Sequence, residues 1–115
     1  MIQVELQAYL TMYPKVGYNS CMVSSYKVEL SKLAQKDLQS VPVHVAKKLQ
    51  DWAEDVEDRG LLEVRKIPGY HDEPLRGSRK GERSIRLSRG HRAFYMEFKG
   101  EITLVRVLEV NKHVY

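Results

Sequence analysis

The sequence predicts an α+β domain in which two helices pack on one face of a small antiparallel sheet. Three observations lead there. The stretch VPVHVAKKLQDWAEDVEDRG, residues 41–60, repeats apolar positions at helical spacing. Three runs towards the C-terminus alternate in polarity and are separated by tight turns. Helical and extended patterns are also segregated along the chain, in the order β-α-α-β-β-β, as in a two-layer domain whose helices share one face of the sheet. The 115 residues fit one such domain, with a modest core.

Residues 2–12 alternate. Ile2, Val4, Leu6, Ala8, Leu10 and Met12 are apolar, Gln3, Glu5, Gln7 and Thr11 polar, and Tyr9 amphipathic. That is the pattern of a half-buried strand, broken by Pro14, Gly17 and Asn19 in YPKVGYNS. Two readings stand: an extra N-terminal strand, or a tail ahead of a true start at Met22. Residues 1–21 are accordingly set apart as an extension, and 22–115 as the domain proper.

SSYKVEL is the next strand. SKLAQKDLQS, residues 31–40, fits a helix capped by Ser31, with Leu33, Ala34 and Leu38 on one side. The long helix follows, with Pro42 in its first turn and Gly60 at its C-terminal cap. Val45, Leu49, Trp52, Ala53 and Val56 form its buried stripe, which makes Trp52 a core residue rather than a stacking platform. Asp51, Glu54, Asp55 and Asp58 read as its solvated face, and His44 as structural or exposed. LLEVRKI reads as a short helix or an extended piece. PGYHDEPLRGSRKG is irregular loop, and a connection this long is more often functional than incidental. Strands are expected over 82–88, 91–98 and 102–110, joined at Arg89-Gly90 and Lys99-Gly100.

The first of these turns admits two registers. A two-residue loop sets Ser88 against His91 and Leu87 against Arg92. A three-residue loop, Ser88-Arg89-Gly90, sets Leu87 against His91 and Arg86 against Arg92. Gly90 suits the left-handed last position of the longer loop, so the second register is preferred. It opposes two arginines on one face, which is destabilising unless an anion or a local acid such as Glu73, Glu82 or Glu97 answers them.

Charge is polarised. From Arg65 to Arg92 nine Lys/Arg stand against three acids, a net of +6; from Glu29 to Glu63 five stand against eight, a net of −3. The basic half suits a polyanion such as nucleic acid, or is a solvated basic loop. No apolar run approaches a membrane span. The N-terminus lacks the layout of a secretion signal, and a lone Cys21 forms no internal disulfide; both favour the cytoplasm. Cys21 itself reads as a small filler or a free thiol. His44, His71, His91 and His113 lack metal-ligand spacing, and there is no phosphate-binding glycine loop and no serine-centred nucleophile motif. Beside the basic hairpin stand a loop carboxylate in HDEPLRG and a histidine in the ending EVNKHVY, groups able to exchange protons near neutral pH.

The ordered set DEPLRG, RSIRLSRGHRAFY and terminal KHVY resembles the RelE/ParE superfamily of toxin–antitoxin toxins, and within it the RelE, HigB and YoeB branch. The resemblance covers roughly residues 25–115. It implies a cytoplasmic, ribosome-dependent endoribonuclease that cuts messenger RNA in the ribosomal A site, beside 16S rRNA. It further implies inhibition of translation, a metal-independent reaction without cofactor, and neutralisation by a cognate antitoxin protein. By the same resemblance, Glu73 matches a loop general base, Arg92 the arginine on the scissile phosphate, Arg86 its strand neighbour and His113 a general acid. Tyr115 matches a terminal tyrosine, although Val114 intervenes where the YoeB type has the two adjacent. Arg65, Lys66, Arg76, Arg79, Lys80, Arg83 and Lys112 are expected to hold ribosomal and messenger phosphates. The alternatives are a ParE-like inhibitor of DNA gyrase, against which His113 argues, and a non-catalytic module of the same fold that binds RNA or antitoxin.

Overall fold

The structure, a computed structural model, describes residues 25–112. The alternating run 2–12, the break after it, Cys21 and the terminal His113 and Tyr115 lie outside the described residues. The elements are β1 (Ser25–Leu30), α1 (Lys32–Leu38), α2 (Val43–Arg59), α3 (Leu61–Arg65), β2 (Glu73–Pro74), β3 (Arg83–Ser88), β4 (His91–Phe98) and β5 (Ile102–Lys112). Two single 3-10 turns, Pro68–Tyr70 and Gly77–Arg79, punctuate the long loop.

The α+β expectation holds, with two refinements. A third, one-turn helix follows α2, so LLEVR is helical. The sheet is mixed: its order is β1-β5-β4-β3-β2, and β1 runs parallel to β5 while every other pair is antiparallel. The helical crossover after β1 permits that pairing, since a parallel neighbour needs a long connection rather than a hairpin.

Ser31 caps α1 as its sequence position predicts, its Oγ accepting from the Ala34 amide at 3.0 Å. The same hydroxyl donates to the Leu108 carbonyl at 2.5 Å, and Asp37 Oδ2 accepts from the Val110 amide at 3.0 Å. Leu108 is the extra residue of a β-bulge, since Phe94 faces Glu109 whereas Tyr95 faces Val107. Helix α1 and its cap thus answer backbone groups of β5 past Val107, where the pairing with β1 ends. The free edge of β1 is covered in a similar way. The Val28 amide donates to Glu57 Oε2 at 2.8 Å, and the Gln35 side-chain amide donates to the Leu30 carbonyl at 3.1 Å, which blunts an open edge.

The predicted stripe of α2 is fully buried, Trp52 included, against Val28, Ile85, Ala93, Tyr95, Val105 and Val107 of the sheet. Trp52 lies 5.0 Å from the Tyr95 ring at a tilt of 50°. Burial of such a side chain contributes roughly 1.5–3 kcal/mol and more for the largest, so this contact anchors the middle of β4. Gly60 ends α2 with φ 89°, and a Cβ there would come within 3.2 Å of the Tyr26 ring, which reserves the position for glycine. Helices occupy one face of the sheet; the other carries the candidate site.

Candidate functional site

The hairpin β3–β4 satisfies both sequence registers in turn. Ser88 faces His91 across a two-residue loop, and one residue later Arg86 faces Arg92, because the register shifts between Arg86 and Ser88 and leaves Leu87 as the extra residue. The opposed arginines are therefore present, but a bulge, not a three-residue turn, creates them. Gly90 is not among the positive-φ glycines of the described residues, so it does not take the left-handed role assigned to it. The Ser88 hydroxyl does the turn's work instead, accepting from the Gly90 amide at 3.2 Å and lying 2.9 Å from His91 Nδ1. Burial, followed by the Lys112 and His44 charges, moves the His91 imidazole below its usual range.

Residues facing each other across an antiparallel pair share a face. Ile85 and Ala93 are fully buried on the helix side, so Arg86 and Arg92 stand on the outer face. Two adjacent rows cross that face. One runs Glu73, Ser84, Phe94, Glu109 over β2 to β5; the next runs Arg86, Arg92, Asn111 over β3 to β5. Glu73 reaches across to Arg92, whose Nη1 donates to Glu73 Oε1 at 2.9 Å and to Ser84 Oγ at 3.1 Å. The Arg92 side chain is only 17% exposed, and its Nε has no hydrogen-bond partner among the described residues. That bond to Arg92, reinforced by the charges of Arg92, His71 and Arg86, holds the Glu73 carboxyl below the usual carboxylate range. Arg79 roofs the first row, with its guanidinium 4.2 Å from the Phe94 ring and 2.9 Å from both Glu82 and Glu109.

The structure thus brings Glu73, Arg86 and Arg92 together. Strand β5 ends at Lys112, opposite His91 and one position from the Arg92–Asn111 pair, so the chain leaves the described part beside this cluster. The seven cations expected to hold phosphates divide into two groups. Arg65 pairs with Glu97 at 3.2 Å, Lys66 with Glu63 at 3.0 Å, Arg79 with Glu82 and Glu109, and Arg83 with Asp72 at 2.6 Å. Arg76, Lys80 and Lys112 are exposed and make no ion pair among the described residues. Sequence reasoning missed Ser84 and Phe94, which share the row of Glu73. Strand alternation from Arg86 places Ser84 on the face of Arg86 and Arg92, and that signal was available.

Among the described residues no helix is long and apolar enough to cross a membrane, and no group of three or more His, Cys, Asp or Glu is placed to hold a metal ion.

No family model matches the chain, and no curated protein matches it. Solved structures do share its fold. The RelBE2 toxin–antitoxin complex of Mycobacterium tuberculosis aligns with a TM-score of 0.56 at 23% identity, over 77% of this chain and 99% of the other. The DinJ–YafQ toxin–antitoxin complex of E. coli gives 0.59 at 21% identity, over 79% and 94%. The YoeB dimer of Staphylococcus aureus gives 0.57 at 19% identity, over 78% and 98%. The chain therefore has the fold of the RelE, YoeB and YafQ toxins, as its motifs led one to expect.

Proposed function

We propose that this protein is the toxin of a type II toxin–antitoxin system, a cytoplasmic endoribonuclease that cuts messenger RNA in the ribosomal A site and is neutralised by a cognate antitoxin. The observation that carries the reading is the outer-face cluster in which Glu73 sits on Arg92 with Arg86 directly opposite. The shared fold adds support, since two of the structures named above are toxins in complex with their antitoxins.

RNA supplies its own nucleophile, the 2′-hydroxyl. In the free protein the Glu73 carboxylate occupies the Arg92 guanidinium as a phosphate oxygen would. A scissile phosphate arriving on Arg92 displaces it. Once released from its cation, the carboxylate becomes a stronger base and takes the 2′-hydroxyl proton. The 2′-oxygen attacks phosphorus, and Arg92 and Arg86 stabilise the added negative charge. His113, the general acid that the resemblance implies, protonates the departing 5′-oxygen, leaving a 2′,3′-cyclic phosphate and a 5′-hydroxyl. Lys112, Arg76 and Lys80 hold neighbouring phosphates of messenger and 16S rRNA, whereas Arg65, Lys66, Arg79 and Arg83, each paired with a carboxylate, add little to the field.

Expression of the chain, with messenger 5′-ends mapped for wild type and for Arg92→Ala, tests the proposal. Wild type is expected to arrest growth and to cut within codons at the A site, and Arg92→Ala to do neither while remaining folded. Undiminished cutting by the variant overturns the mechanism. Growth arrest with DNA damage and intact messenger establishes the gyrase-directed alternative instead.

A further inference from the structure

Asp72 precedes Glu73 and is its opposite in every environmental respect. The Asp72 side chain is wholly inaccessible, whereas that of Glu73 is 52% exposed. Arg83 Nε donates to Asp72 Oδ1 at 2.6 Å, and the Tyr95 hydroxyl donates to Oδ2 at 2.5 Å. Burial and the bond to Asp72 push the Tyr95 phenol well up, so it stays protonated and remains a donor. Tyr95 is itself held by the Trp52 ring and receives a long 3.4 Å bond from Arg65 Nε, whose Nη2 lies 3.2 Å from Glu97. A chain of contacts therefore runs from the core aromatic through Tyr95 to the Asp72 carboxylate.

Glu73 sits on a short element, paired only with β3 on one side. Strand β2 is two residues long, one of them Pro74, which has no amide to donate. The backbone just before it is left-handed at His71, φ 50° and ψ 47°, a conformation costing a non-glycine residue of order 1 kcal/mol or more unless the surroundings enforce it. What enforces it is next in the chain: a buried carboxylate with one cationic and one neutral donor, which cannot leave without stranding its partners.

We infer that Asp72 is a positioning residue, whose buried carboxylate fixes the turn at His71 so that the adjacent Glu73 is held against Arg92. This deepens the nuclease reading and rests on it for its functional consequence. The positional part is independent, because it concerns the free protein.

The test uses the purified full chain carrying Asp72→Asn, together with Tyr95→Phe, which removes the donor but keeps the ring on Trp52. Carboxyl NMR of Glu73 is followed against pH. The charged groups acting on Glu73 are Arg92, His71 and Arg86, and neither change substitutes any of them, so a shift reports their placement. In both variants the Glu73 titration is expected to rise towards an ordinary carboxylate value, as its contact with Arg92 is less often made. In the ribosome assay kcat is expected to fall about 10²-fold for a reacting group misplaced by about 1 Å, with KM little changed. If Asp72→Asn fails to fold, Tyr95→Phe carries the test. An unshifted Glu73 titration in folded Tyr95→Phe overturns the inference. A shifted titration in a protein that never cleaves RNA upholds the positioning and discards the nuclease.

Discussion

Two arginine–carboxylate pairs lie side by side in this sheet, with acids adjacent in sequence and opposite in character. Asp72 and Arg83 meet at 2.6 Å with the carboxylate entirely inaccessible; Glu73 and Arg92 meet at 2.9 Å with the carboxylate half exposed. The first acid has two protein donors and no access to solvent, so no ligand can replace it. The second acid is one that solvent can reach, and the cation it holds keeps a buried Nε without a hydrogen-bond partner among the described residues. Identical residue chemistry thus gives a rivet in one place and an exchangeable anion site in the other. Burial decides which, because a desolvated charge tolerates no vacancy while an exposed one tolerates competition.

The largest expected difference follows from removing each arginine. Arg83→Ala leaves a buried carboxylate without its cation and is expected to cost about 3–5 kcal/mol of stability. Arg92→Ala is expected to cost less, about 1–2 kcal/mol, since Glu73 then turns to water and the loss is chiefly that of the bond to the buried Ser84 hydroxyl. Urea unfolding of the two variants measures both. Similar losses would show the pairs to be equivalent. Activity reverses the order. Arg92→Ala should lose about 10²–10³-fold in kcat through lost stabilisation of the phosphorane, while any Arg83→Ala protein that remains folded should lose less.

A smaller effect separates the paired from the unpaired cations. Arg76, Lys80 and Lys112 are exposed without an ion pair among the described residues, whereas Lys66 is occupied by Glu63. Neutralising any of the first three should lower the salt slope of RNA or ribosome binding by about one. Lys66→Ala should leave it nearly unchanged, because the loss of an already neutralised charge releases few counterions. Binding measured across salt concentrations distinguishes them, and a uniform effect would mean that total charge, not pairing, governs the interface.

The division between the two pairs was only partly legible in the sequence. The helical stripe through Trp52 and the cap at Ser31 were readable because helix signals are local. The parallel pairing of β1 with β5 was not, since it joins Ser25 to Ile102 and depends on the crossover between them. In the hairpin, the two candidate registers differed by one residue, and the bulge at Leu87 lets the chain use both. The hairpin register brought Arg86 and Arg92 together and named Glu73 among the acids that could answer them, while their catalytic roles came from the resemblance. What could not be read was which arginine each acid takes: Glu73 pairs across 19 positions and Asp72 across 11, and adjacent acids on alternating faces look identical until burial is known. Counting charge between Arg65 and Arg92 likewise overstates the field available to RNA, because Arg65, Arg79 and Arg83 each hold a carboxylate.

The smallest expected effect is in the pH dependence of the exposed pair, and its sign is fixed by the direction of the Glu73 shift. The bond to Arg92 lowers this carboxyl below its ordinary value of 4.5. A depressed folded value means that the pair stabilises the native state fully at pH above the ordinary value. That contribution is lost as pH falls through the folded value, where both states carry the proton. The group is half exposed, so the contribution is at most about 1 kcal/mol. Unfolding free energies of wild type and Glu73→Gln should therefore differ slightly at neutral pH and converge on acidification. An oligonucleotide phosphate bound at Arg92 should abolish the depression, because the anion takes the guanidinium from Glu73 and adds its own negative charge nearby. A Glu73 titration that stays depressed with phosphate bound would mean that the carboxylate keeps its arginine, and that the exposed pair is a second rivet after all.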